Sequence, residues 1–262
     1  MSKNRTVAIT GASSGIGRAT AIALGTLGWT VAIGSRRADV LQATAAAVDA
    51  AGGRAIAIPL DVTEPQSIDD FFGAIEQVVG PVDALVNNAG IASPGYLVEA
   101  DPAGLSAELA TNLLGPLLCT RRALGPMLDL PENRKPCDIV FVTSDVTRYP
   151  RPGMIGYSAS KAALETVAQV VAMEVEGRGI RTTVVRVGPT LTDFAAAWEP
   201  GAYEHLVRDW PRFGIQRHYE TMKPEDVAAA IVHALTRPAH MRIEVIEVQP
   251  VAPNSDPTPS VS

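Results

Sequence analysis

Residues Arg5–Gly17 read RTVAITGASSGIG, and this stretch decides the fold. "RTVAIT" is a short, continuous, largely apolar run, the pattern of a strand covered on both faces. "TGASSGIG" follows, with glycines at 11, 15 and 17, and Ile16–Leu27 then reads as a helix. Glycine tolerates positive φ and lets backbone approach a ligand closely. A helix N-terminus at such a turn attracts phosphate through its free N–H groups and its dipole, and no acid in the first turn opposes this. The spacing is G-x-x-x-G-x-G, not the G-x-G-x-x-G of the usual dinucleotide fingerprint. Its place between the first strand and the first helix nevertheless points to a dinucleotide. The turn residues expected to face it are Gly11, Ser13, Ser14, Gly15, Ile16 and Gly17.

The same alternation continues outward. "WTVAIG", "RAIAIPL", "VDALVNN", "CDIVFVTS", "IRTTVVRVG" and "RIEVIEVQP" read as six further strands. Helical patterns run between them: Asp39–Ala51, a segment from Glu64, a long "LSAELATNLLGPLLCTRRALGPML" bent near Pro116, the segment around Tyr157, and one beginning at Pro224. Apolar strands alternating with helices predict an α/β fold with a doubly wound parallel sheet of about seven strands and helices on both faces. A single domain is expected over residues 1–250, with a mobile, proline-rich tail at 251–262. The chain has 262 residues, 47% hydrophobic and 19% charged, with net charge −6, which argues against general nucleic-acid binding. No uncharged stretch reaches the ~18 residues of a membrane span. Cys119 and Cys137 have neither metal-ligand spacing nor company enough for a disulfide framework. His205, His218, His233 and His240 lie far apart, so no metal is expected. The N-terminus enters its strand without an apolar signal core, and the expected compartment is the cytoplasm.

Sheets of this kind bind ligands beyond the carboxyl ends of their strands. The second strand ends in Ser35-Arg36-Arg37. An acid near this point binds a ribose 2′-hydroxyl, whereas arginine accommodates a 2′-phosphate. Two guanidiniums without an acid favour NADP; a solvated pair of loop charges is the plainer alternative. Further on come Asp61-Val62, Asn87-Asn88-Ala89-Gly90 and Ser144. Tyr157 and Lys161 are one helical turn apart and share a face. A fixed positive charge lowers a phenol's pKa, so the pair is either an acid/base catalyst or an ordinary surface Tyr and Lys.

Taken together, "TGASSGIG", "DV", "NNAG", Thr111-Asn112, Ser144 and "YSASK", in this order, resemble the short-chain dehydrogenase/reductase family in its single-domain, Rossmann-like form. The resemblance covers Arg5–Pro250, and Ser144 precedes Tyr157 by the family's 13 positions. It implies that Tyr157 is the acid/base at a carbonyl or alcohol oxygen, and that Lys161 lowers its pKa and binds the nicotinamide ribose. It also implies that Ser144 holds the substrate oxygen, and that Asn112 supports a water in the proton relay. An alcohol, ketone or aldehyde substrate and a homodimer or homotetramer follow from the same likeness. "RVGPTLT" departs from the family's Asn-Pro-Gly, with Arg186 and Val187 in the first two places. Gly188, Thr190 and Thr192 still fall where that loop meets the cofactor. Asp145 and Thr147 replace small residues, and Arg148 and Arg151 either line the substrate entrance or form a local salt-bridge cluster. Residues 193–219 are the expected substrate flap, with Trp198, Tyr203, Trp210 and Phe213 lining a pocket or anchoring the flap. The ending "KPEDVAAAIVHALTRPAHMRIEVIEVQP" resembles a subset with NADP-dependent members acting on small hydroxy acids or aldehydes, so flap and ending point to different substrates. Two other classes come with the resemblance. A non-catalytic NADP-binding regulator would typically have lost part of the Asn112, Ser144, Tyr157 and Lys161 set. An epimerase or dehydratase of the sugar-nucleotide kind would need a larger C-terminal region.

Overall fold

Alternation along each strand sends successive side chains to opposite faces of the sheet, and each face acquires its own core. The computed structural model describes residues 5–134, 136–195, 198, 208–215 and 218–253. Strands β1 (Thr6–Thr10), β2 (Thr30–Ser35), β3 (Arg54–Pro59), β4 (Ala84–Asn87), β5 (Cys137–Ser144), β6 (Ile180–Val187) and β7 (Val245–Val248) form one parallel sheet. Their order is β3-β2-β1-β4-β5-β6-β7. Val7 and Ile9 of β1, with Val140 and Val142 of β5, face helices α1 (Gly15–Gly25), α2 (Ala38–Ala50) and α7 (Pro224–Leu235). Ala8, Ile139 and Phe141 face α3 (Pro65–Val79), α5 (Gly115–Leu128) and α6 (Ile155–Glu174). Cys119 and Cys137 are free thiols buried in this second core. The fold is the expected single-domain, doubly wound α/β architecture. Among the described residues no helix is long and apolar enough to cross a membrane.

Two elements differ from their sequence patterns. The long helix is built in three pieces: α4 (Pro102–Leu109), a π-turn at Ala110–Leu114, and α5. Asp101 caps α4 by accepting from the N–H groups of Ala103 and Gly104. Pro116 has no N–H for the carbonyl four residues back, that of Asn112, and the Gly115 N–H instead reaches Ala110, five residues back. The seventh strand is shorter than "RIEVIEVQP": Val245–Val248 alone pairs with β6, and just before it Thr183 of β6 takes the Ile243 carbonyl with its side chain. Residues 251–253 of the expected tail are exposed, and 254–262 lie outside the described residues.

At the amino ends of the strands a charge network closes the sheet. The buried Asp138 carboxylate accepts from Arg5 at 2.6 Å and from Arg181 at 2.8 and 3.1 Å. Asp83 beside it accepts from the Thr6 N–H and from Arg134. Removing one partner of a buried pair leaves uncompensated charge, which costs far more than an exposed pair is worth. Asp138→Ala is therefore expected to lower unfolding stability by roughly 3–5 kcal/mol, and Asp138→Asn by less. Urea denaturation followed by circular dichroism measures both.

Candidate active site

Sheet order reverses between β1 and β4, and the main cleft opens above that switch point. Its volume is about 1010 Å³. Two backbones meet at its floor. Thr10 Oγ1 accepts from the N–H groups of Asn88 and Ala89, at 3.1 and 3.0 Å. The Asn88 amide returns two bonds, to the carbonyls of Thr10 and Gly11. Gly11 has φ +67°, and a Cβ there would lie 2.8 Å from Ala89 Cα. A Cβ on Gly17 would lie 2.5 Å from the Gly11 carbonyl oxygen and 2.6 Å from the Asn88 amide nitrogen. Gly17 thus packs behind the turn, whereas Gly11, Ser13, Ser14, Gly15 and Ile16 line the cleft. Ser14 makes no side-chain cap on α1 and no acid stands in the helix's first turn. This glycine cradle and uncapped helix start fit a dinucleotide phosphate.

Arg36, Arg37, Asp61, Val62, Asn88, Ala89 and Gly90 line the cleft. The two arginines are not equivalent. Arg37 donates to Ser13 Oγ and Ser14 Oγ, at 3.1 and 3.2 Å, bridging the end of β2 to the glycine turn. Arg36 lies near Asp61. Burial works to raise the Asp61 pKa, but two hydrogen bonds from Thr63 and the charge of Arg36 outweigh it and hold the carboxyl below its ordinary value. On the opposite side, Gly188, Thr190 and Thr192 also line the cleft. That loop is pinned by reciprocal backbone bonds, from Leu191 to Met222 and from Met222 to Pro189.

The deep end gathers the other predicted residues. Ser144, Tyr157 and Lys161 line it, and Asn112 stands behind it, fully buried. Asn112 accepts from the Ile91 N–H and donates to the Ile91 carbonyl and to Ser160 Oγ. It therefore fixes the segment after Gly90 against α6. Lys161 is buried, donates to the Val142 carbonyl at 2.9 Å, and has its pKa pulled down to about 8 by burial. Tyr157 is half-buried, and desolvation pushes its phenol up to about 12. A hydrogen bond with Ser144 and the charge of Arg151 act the other way, while Asp145 and Glu108 add to the rise. This direction is opposite to the lowering expected from Lys161. The ammonium is turned to the Val142 carbonyl and lies 5.8 Å from the phenol ring centroid.

Of the two readings left open for Arg148 and Arg151, Arg151 meets both, with Asp145 as its partner. They pair through two bonds of 2.7 Å, and both line the cleft. Asp145 also accepts from Ser144 Oγ at 3.2 Å and from the Gln249 amide at 3.4 Å. Arg148 instead pairs with Glu247 at the surface. The departure at Arg186 is explained by a residue the motifs did not single out, Glu165. Its carboxylate accepts two bonds from Arg186 and one each from Thr143 and Thr147. Desolvation raises the Glu165 pKa, and these bonds more than reverse that, leaving it below its ordinary value. The available signal was spacing, since Tyr157, Lys161 and Glu165 succeed one another at i, i+4 on α6. From the flap, Phe194, Trp198 and Trp210 line the cleft; Phe213 is exposed, and Tyr203 lies outside the described residues.

The comparisons agree with this geometry. The family described as short chain dehydrogenase matches residues 5–202. The uncharacterized oxidoreductase YgfF of Escherichia coli is 36% identical over 87% of this chain and 91% of its own length. Glycine betaine reductase ATRR of Emericella nidulans is 31% identical over 92% of this chain, which spans only 18% of that protein. Among solved structures, an alcohol dehydrogenase from the archaeon Thermococcus sibiricus, complexed with 5-hydroxy-NADP, superposes with a TM-score of 0.81. It is 25% identical, and the match covers 97% of this chain and 100% of that one. Fold, cleft and sequence likeness converge, and the chain belongs to the short-chain dehydrogenase/reductase family of nicotinamide-dependent oxidoreductases.

Proposed function

We propose that the protein is an NADP-dependent oxidoreductase interconverting a carbonyl compound and its alcohol, with Tyr157 as the acid/base. The observation that carries this reading is the convergence of Tyr157, Ser144 and Lys161 at one end of a cleft whose other end holds a glycine cradle and two arginines. A nicotinamide dinucleotide held by the glycine turn, Arg36 and Arg37 would supply hydride chemistry at the carbonyl or alcohol carbon. Tyr157 gives its phenolic proton to the carbonyl oxygen as negative charge develops there. Ser144 holds that oxygen. Lys161 keeps a positive charge under the site, and Asn112 locks the segment after Gly90 on which the geometry rests. Ser35-Arg36-Arg37, with no acid at the end of β2, supports NADP, as does the NADP analogue bound to the Thermococcus sibiricus relative. Exposed Leu114, Leu117, Val170 and Met173 support association into a homodimer or homotetramer. Two free cysteines suit a reducing cytoplasm.

Three outcomes are expected. Tyr157→Phe should abolish turnover while leaving cofactor affinity largely intact, and Lys161→Ala should impair both; retention of most of kcat in Tyr157→Phe removes the acid/base assignment. A phenol raised to about 12 keeps its proton through neutral pH and acts as an acid. Carbonyl reduction should therefore run at neutral pH, and alcohol oxidation, which needs the phenolate, should rise as pH increases. Rates followed in both directions at the reduced-cofactor absorbance decide this. Finally, each charge-assisted bond to a 2′-phosphate is worth about 1.5–3 kcal/mol, roughly tenfold to hundredfold in affinity. NADPH should bind correspondingly more tightly than NADH, with the gap narrowing in salt. Ser35→Asp with Arg36→Ala should reverse the order in fluorescence titrations. Equal affinities in the wild type would reject NADP selectivity and leave the family unaffected.

A further inference from the structure

We infer that the substrate is an uncharged carbonyl compound, or its alcohol, carrying a flat apolar group of aryl type, and not a small hydroxy or oxo acid; this rests on the oxidoreductase reading of the same cleft. The first observation is the wall beside the phenol. Phe194 packs on Tyr157 with ring centroids 5.3 Å apart, and Trp198 follows 6.3 Å further on. Trp198 donates its indole N–H to the Ala92 carbonyl, and Trp210 donates its own to the Pro152 carbonyl. Each indole thus spends its one polar group on backbone and has only ring carbon left for the cleft. Ala92 and Met154 complete the same apolar cluster. Trp198 and Trp210 anchor the flap by their N–H groups and line the cleft with their carbon, so for these two rings both readings hold.

The second observation is electrical. Arg151 faces the site, but its fork is closed on both Asp145 oxygens, and its guanidinium lies 5.5 Å from the centroid of the Trp210 ring. Lys161 is turned to the Val142 carbonyl. Among the described residues lining the cleft, the remaining cations are Arg36 and Arg37. They stand at the end of β2, three strands across the sheet from Ser144. At ~4.8 Å per strand the two strand ends are about 14 Å apart. Asp193 and Glu220 line the cleft as well. A substrate carboxylate would lose its water and find Arg151's charge already matched. A neutral aryl group loses nothing of the kind and gains ring contact.

The test uses two compounds of matched shape. p-Tolualdehyde is neutral, p-formylbenzoate carries a carboxylate, and glyoxylate stands for the small oxo acids. kcat/KM is measured with NADPH, and binding of the first two to the protein with NADP+ is measured by calorimetry. The neutral compound should exceed its carboxylate twin by roughly tenfold to hundredfold in both readouts, the range of a lost charge-assisted contact, and glyoxylate by more. Asp145→Asn frees the charge of Arg151 and should move the neutral-to-acid ratio toward the acid. Arg151→Gln leaves Asp145 uncompensated and should move it the other way. Ratios cancel any general loss of activity in the variants. Glyoxylate or p-formylbenzoate turned over as well as p-tolualdehyde would overturn the inference while upholding the oxidoreductase reading. Selective binding of p-tolualdehyde with no turnover of any compound would uphold the pocket assignment and sink the oxidoreductase reading instead.

Discussion

Everything at the cleft depends on how closely the carboxyl ends of β1 and β4 approach each other. One threonine hydroxyl, Thr10, takes two successive N–H groups from Asn88 and Ala89, and the Asn88 amide answers with bonds to the carbonyls of Thr10 and Gly11. These are part-buried backbone groups where the ladder ends, and left without partners they would be costly. The strap turns the end of the ladder into a fixed floor. It can close only because Gly11 has no Cβ to strike Ala89. Fixing that floor aims the start of α1, and it sets the position from which Gly90 and Ile91 run on to Asn112.

Charge is distributed unevenly between the two ends of the sheet. At the amino ends, Asp138 and Asp83 are surrounded by Arg5, Arg181 and Arg134, with surplus guanidinium donors spent on backbone carbonyls. Every member is satisfied, which is the condition under which buried charge is tolerated. At the carboxyl ends, Glu165 with Arg186 lies behind the cleft and Asp145 with Arg151 lies within it. The first pair holds Thr143 and Thr147 on either side of Ser144. The second touches Ser144 itself. Ser144 is thus positioned by charges that cancel locally, so its surroundings are polar without being strongly anionic or cationic.

Tyr157 and Lys161 show burial working on opposite charges. Desolvation disfavours whichever form is ionised, so it raises the phenol and lowers the ammonium. The two shifts bring both groups toward their neutral forms. For the lysine, burial alone draws the pKa down to about 8.

Local sequence was sufficient for much of this protein. The run from Arg5 to Gly17 determined a strand, a glycine turn and a helix, because dihedral freedom and apolar periodicity are local properties. Repetition of that pattern determined the parallel sheet, and Asn112, Ser144, Tyr157 and Lys161 were singled out by the family resemblance that the ordered motifs carry. The π-turn around Asn112 was foreshadowed by Pro116, whose missing N–H is also a local fact. What tertiary structure alone decided were matters of pairing across distant elements. Nothing near Arg186 in sequence announces Glu165, and nothing near Asp145 announces Gln249, 104 positions away. Arg37 became a brace for Ser13 and Ser14 only when β2 was laid beside β1. The sign of the Tyr157 shift was decided in the same way: spacing on a helix supplies the lysine's charge, but how far the phenol loses water depends on every element packed around it.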